Sequence, residues 1–215
     1  MIDKETMKFL HDAARHPSRD WLDDHRTEFD RAKAGLKEFV RSLMNEASSV
    51  DGRIAIANPA IEKYFGRTVG TQIRKSHVAL SVRVANDPNA IATYFFHVQP
   101  SGCYSGGGSR TPTTRFSRLL RQQMMTDTGR WREIVEGPVF RTFFPRGLTD
   151  GKSAVPPALF IKNHDAMDSL NLRAFGACRG HSDQLMQSNE AIAEVVRSFA
   201  AARPLVDFIN RATTM

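Results

Sequence analysis

Residues 78–98 read VALSVRVANDPNAIATYFFHV, and the fold turns on this stretch. Val78, Leu80, Val82 and Val84 alternate with Ala79, Ser81, Arg83 and Ala85, the period of a half-buried strand. Asn86-Asp87-Pro88-Asn89 is a dense turn signal. Ala92 to Val98 then predicts a second strand, so the pair reads as an antiparallel hairpin. Tyr94, Phe96 and Val98 share one face, and Thr93, Phe95 and His97 the other. Cys103-Tyr104-Ser105 predicts a third strand running into Gly106-Gly107-Gly108.

Outward from this stretch the period changes. Lys4 to Ala14 predicts a short helix that breaks near His16-Pro17, with Ser18 as the next N-cap. Trp21, His25, Phe29, Ala32, Leu36, Phe39, Leu43 and Ala47 then step by three and four, which predicts one long amphipathic helix. After the glycines, Thr111-Pro112 opens a helix carrying Phe116, Leu119, Leu120 and Met124, and a short helix follows around Trp131 to Val135. Val139 to Phe144 predicts a strand, 145–158 a loop, Asn163-His164-Asp165 a turn, and Leu170 to Cys178 another strand. A helix from Glu190 and a last helical segment, Leu205 to Arg211, are separated at Arg203-Pro204. This order predicts one α+β domain over residues 1–215. A mostly antiparallel central sheet packs against the long N-terminal helix and the C-terminal helices.

Composition narrows the class. The 215 residues are 41% apolar and 25% charged, as in soluble globular chains. No apolar run approaches a membrane span, and MIDKETMKFL lacks a signal-peptide core, so a cytoplasmic protein without a membrane partner is expected. Cys103 and Cys178 fit no metal spacing and read as small buried residues that a cytosolic setting keeps reduced. Neither a metal nor a cofactor is expected.

Charge is the informative property. Residues 1–50 carry 9 basic and 10 acidic side chains, whereas 53–121 carry 10 basic side chains and only Glu62 and Asp87 as acids. A surplus confined to one segment suits an anionic partner: a small phosphorylated or carboxylated ligand, nucleic acid, or an acidic protein surface. The plain alternative is a solvated arginine-rich surface.

Two constellations could hold an anion. Consecutive glycines allow main-chain N–H groups to converge, so Gly106, Gly107 and Gly108, with Ser105, Ser109, Arg110 and the following helix start, could form a backbone cradle. The competing reading is that three glycines admit a closely packed neighbour. Arg83, His97 and Arg173 each occupy a strand position offset from apolar neighbours; if their faces coincide, two guanidinium groups and an imidazole meet on one surface. Of the seven histidines, none shows a zinc spacing, and His164-Asp165 and His181-Ser182-Asp183 read first as helix caps. No nucleophile elbow or nucleotide-binding glycine motif is present in the sequence.

Several motifs together carry a family resemblance: Phe9-Leu10; Trp21 to Phe29; Tyr94-Phe95-Phe96-His97 leading to the glycines; Leu119-Leu120-Arg121; Pro145-Arg146-Gly147; His164 through Leu170, Leu172, Arg173 and Phe175; and Phe199 to Asn210. In this order they resemble a widespread family of conserved hypothetical proteins, a domain of unknown function. The resemblance covers nearly the whole chain and implies no reaction. The family's basic-aromatic block is altered here: Tyr64 to His77 keeps Arg67, Arg74 and Lys75 but lacks the acidic and proline-tyrosine parts. The function expected first is binding of a small anionic ligand through Gly106, Gly107, Gly108, Arg110, Arg83, His97 and Arg173. A nucleic-acid-associated protein and a protein–protein module are the alternatives, and whether the protein is an enzyme is left open.

Overall fold

The computed structural model describes residues 1–16, 18–54, 60–62, 68–69, 72–73, 78–83, 90–109, 112–148, 167–170 and 172–212. The expected turn at Asn86 to Asn89, the helix-opening Thr111, the His164-Asp165 pair, and Arg67, Arg74 and Lys75 lie outside the described residues.

The first 47 residues form three helices. α1 (Lys4–Arg15) is capped by Asp3, whose carboxylate accepts from the Thr6 amide at 2.7 Å. α2 (Arg19–Asp24) is capped by Ser18, and α3 (Arg26–Ala47) is the long amphipathic helix. The expected single helix from Trp21 is therefore interrupted at His25, whose non-helical backbone (φ −110°, ψ 34°) ends one helix and begins the next. The apolar spacing runs on because Trp21 and His25 still stack, with ring centroids 4.1 Å apart.

The sheet is antiparallel throughout. β1 (Ala60–Glu62), β4 (Val78–Arg83), β5 (Thr93–Val98), β6 (Cys103–Ser109) and β7 (Phe175–His181) lie in the order β1-β4-β5-β6-β7. β2 (Thr68–Val69) and β3 (Gln72–Ile73) form a separate two-stranded hairpin. The chain is thus α+β, with the hairpin of residues 78–98 as the expected nucleus of the sheet.

Helices close the structure: α4 (Thr114–Thr126), α5 (Thr128–Glu136), α6 (Pro138–Phe143), α7 (Met167–Leu170), α8 (Asp183–Met186) and α9 (Ala191–Arg211). α9 lies across β5, β6 and β7 and also packs on α3. The core beneath it draws residues from Ile2 to Ala212, with Tyr94, Phe96, Phe199 and Phe208 among its largest members.

Four expectations are corrected here. The Val139 to Phe144 strand is the helix α6. Gly137-Pro138 starts it with proline at its first position, and Phe140 and Phe144, four apart, pack ring to ring at 5.1 Å. The Leu170 to Cys178 strand begins only at Phe175, since α7 takes Leu170. α4 is capped by Thr113, two residues after the expected threonine.

Last, α9 continues through Pro204. An interior proline costs about 3 kcal/mol. Leu205, Val206, Phe208 and Ile209 beyond it are fully buried, each contributing about 1.5–3 kcal/mol, so packing outweighs the missing hydrogen bond.

Candidate functional site

The strand register fixes which of the expected residues can meet. Tyr94 stands opposite Gly107 and Phe96 opposite Ser105; Ser105 faces Arg179 and Cys103 faces His181. These residues form the side covered by α9. The alternate residues form the second side, in three rows. Arg83, Thr93, Gly108 and Gly176 make one row; Ser81, Phe95, Gly106 and Cys178 the next; Ala79, His97, Tyr104 and Gly180 the third.

The glycine triplet is not a loop. It is the middle of β6, paired on both edges, so its amides lie in the plane of the sheet and do not converge on one point outside it. Each glycine answers a local steric demand. A Cβ on Gly106 would stand 1.9 Å from the Ala177 carbonyl oxygen, and one on Gly107 would stand 2.9 Å from both Ala202 Cβ and Val206 Cγ2 on α9. Gly108 adopts φ +127°, a conformation that other residues rarely take.

Arg83 and Gly108 share the first row of the second side, and Arg173 precedes Gly176 of that row by three residues. Arg110, outside the described residues, follows Ser109 directly. Gly107 is on the other side of the sheet. His97 is on the expected side but at its far end, four positions along β5 from Thr93, or about 13 Å. It is buried, stacks on Tyr104 (centroids 4.6 Å, planes 8° apart), and its Nε2 lies 3.0 Å from Gln99 Oε1. The expected meeting of His97 with the arginines therefore does not occur, because His97 lies at the opposite end of the strands, and Arg83 and Gly176 are themselves three strands apart, about 14 Å.

One arginine missed as a site residue joins the Arg173 end. Arg121 of α4 is only 7% exposed. Its Nε donates to the Leu170 carbonyl at 2.7 Å and its Nη2 to the Leu172 carbonyl at 2.8 Å, and its guanidinium lies 5.9 Å from the centre of the Phe175 ring. It so fastens the connector carrying Arg173 to α4. Burial holds its pKa below the ordinary arginine value. No carboxylate among the described residues pairs with it. Its partners lie about fifty residues away in sequence, and no local spacing announces them.

Two other polar clusters serve the fold. Asp51, 2% exposed, accepts from Arg53 Nε at 2.7 Å and from the Tyr94 hydroxyl at 3.0 Å, while Arg53 also reaches Asp207 on α9. Burial pushes the Asp51 pKa up, but the hydrogen bonds from Arg53 and Tyr94 win and hold it below the usual carboxylate range. Arg53, counted in the basic segment, is thus consumed internally. On the α9 side, Ser105 Oγ and His181 Nε2 lie 2.6 Å apart, both buried. Burial, then the nearby Arg179, lowers the His181 pKa to about 4. Ser182 caps α8 as expected, and Asp183 engages His11 at 2.7 Å.

Cys103 faces α9 and Cys178 the opposite side, so no bridge joins them. Cys103 is buried, and burial raises its thiol to about 11. Cys178 is half-buried. Among the described residues no group of three or more His, Cys, Asp or Glu side chains is placed to hold a metal, and no helix is long and apolar enough to cross a membrane.

No curated protein and no solved structure matches the chain. A family model described as a conserved hypothetical protein, DUF2461, matches residues 5–208. That match spans α1 through most of α9, sheet and arginine-bearing end included, and the chain belongs to this family.

Proposed function

We propose that this protein binds a small phosphate- or carboxylate-bearing ligand at the end of the sheet where Gly108 pairs with Gly176 and Arg173 stands beside them, with Arg83 on the same row about 14 Å across the sheet. The observation that carries this reading is that Arg121 of α4 donates to the carbonyls of Leu170 and Leu172 and so holds the connector with the exposed Arg173 at the Gly108–Gly176 end of the sheet. The surroundings support it: Arg121 is fixed by two carbonyls and adds positive charge. Arginine suits such ligands because its planar fork donates paired hydrogen bonds to an oxyanion. Gly106 and Gly108 shape the floor and are not themselves the donors. The setting proposed is the cytoplasm, and no catalytic group is assigned.

A thermal-shift panel of inorganic phosphate, pyrophosphate, nucleotides, sugar phosphates and citrate tests it. A ligand at a hundredfold excess over Kd stabilises by about 2.7 kcal/mol, which for a chain of this size raises Tm by about 5–10 °C. Arg173→Ala should remove most of the shift, and Arg83→Ala a smaller part of it. Arg132→Ala should keep it, since Arg132 pairs with Glu136 on an exposed helix face. A panel without a shift, or a shift that survives both losses, ends this reading.

A second reading has its own observation. Arg115, Arg118, Arg141 and Arg146 are exposed and pair with no carboxylate among the described residues, unlike Arg15, Arg26, Arg31 and Arg41 of the N-terminal helices. Such a surface suits nucleic acid, for which affinity falls steeply with salt. Against it, Tyr94, Phe95 and Phe96 are buried and offer no stacking platform.

A further inference from the structure

The three N-terminal helices enclose a cleft of about 410 Å³ that the anion site does not use. That volume lies within the range of small-molecule sites. Its floor belongs to an apolar cluster separate from the main core, built from Phe9, Ala13, Phe29 and Ala32, with Trp21 packed on it. Trp21 is half-buried and lines the cleft. Its ring lies 5.8 Å from Phe9 and 4.1 Å from His25, nearly parallel to the latter. The result is an aromatic wall over an apolar floor, open on one side.

The rim is charged in a particular way. Glu5 and Arg31 neutralise one another at 2.8 Å. Lys8 on α1 and Glu28 on α3 also line the cleft, are exposed, and form no ion pair among the described residues. His25 Nδ1 is engaged by the Trp21 carbonyl at 2.8 Å, which makes that nitrogen the donor in the neutral ring and leaves Nε2 as an acceptor. An ammonium, a carboxylate and an imidazole acceptor thus border one aromatic surface.

We infer that this cleft binds a small zwitterion with an aromatic or apolar side chain, of the α-amino-acid class. The side chain lies on Trp21 and Phe9, the ligand carboxylate meets Lys8, and its ammonium meets Glu28 and His25 Nε2. Asp12, the remaining carboxylate of the lining, has Arg15 at 3.9 Å, so a neutral apolar molecule would leave the charges of Lys8 and Glu28 unmatched, and a singly charged one would satisfy only one of them. This inference does not depend on the sheet site.

Trp21 supplies the readout. The chain has two tryptophans, and Trp131 is buried beneath α9 against Phe208. In Trp131→Phe protein, titration with L-phenylalanine should change Trp21 emission saturably. Phenethylamine and 3-phenylpropanoate, each carrying one of the two charges, should bind about tenfold more weakly, the scale of one lost charged contact. Lys8→Gln and Glu28→Gln should each bring L-phenylalanine to that weaker level. Calorimetry on the unsubstituted protein should give the same ranking, which keeps the test independent of whether Trp131→Phe folds. The inference is overturned if L-phenylalanine gives neither a saturable signal nor heat, if the singly charged compounds bind equally well, or if neither substitution weakens binding.

Discussion

The two sides of the sheet are made by alternate residues of the same strands, yet they treat polar groups differently. On the α9 side, the Tyr94 hydroxyl has Asp51 as its partner, and Ser105 Oγ and His181 Nε2 have one another. On the opposite side, the rows carry Arg83, Thr93, His97, Tyr104 and Cys178 between glycines, and polar residues are spread along the strands. The difference teaches where to look for function. Polar groups that close contacts beneath a helix hold the fold together, whereas the exposed Arg173 at the edge of the other side is where the proposed ligand would be met.

Breaking the second side should cost most. Gly106→Ala places a methyl group 1.9 Å from the backbone oxygen of Ala177, which cannot yield without opening the β6–β7 ladder. Loss of more than about 4 kcal/mol is expected, an exceptional value for one methyl, and chemical denaturation of the variant measures it. A variant as stable as the parent would show that the strands do not approach as described.

The α9 side should announce itself through pH. His181 titrates near 4 in the folded protein and at about 6.5 when unfolded. Between these values the unfolded chain binds the extra proton, so stability is full above pH 6.5 and falls as pH drops toward 4. The loss is about 3 kcal/mol, taken from about two and a half pKa units. Denaturation midpoints across that window should fall for the parent and fall less for His181→Gln. Equal slopes for both would show that this pair does not set acid stability.

The smallest effect tests the contrast within the triplet itself. Gly107→Ala meets side-chain atoms of Ala202 and Val206 at 2.9 Å, not backbone, and side chains can give way. A cost of about 1–3 kcal/mol is expected, below that of Gly106→Ala. The reverse order would mean that α9, and not the neighbouring strand, demands the glycines.

Much of the fold was legible in the sequence. The alternation from Val78 to Val98 specifies β4 and β5, and the stripe from Phe29 to Ala47 specifies α3, because each pattern places its apolar residues on one face at its own period. Errors arose where local preference competes with packing. Val139 to Phe144 has the composition of a strand, but Gly137-Pro138 starts a helix there. Pro204 reads as a break, but the burial of the residues after it carries α9 onward.

The site was legible only in its parts. The sequence by itself determined the α+β plan, the caps at Ser18 and Ser182, the basic surplus of residues 53–121 and the family resemblance, all of which depend on neighbours within a few positions. Only the tertiary structure decided that Gly106 to Gly108 are strand, that Arg83 and Gly108 share a row while His97 stands two rows away at the other end of the strand, and that Arg121 holds the connector bearing Arg173. The physical reason is that strand register and buried side-chain contacts join residues tens of positions apart, and local spacing contains no term for which strand lies beside which.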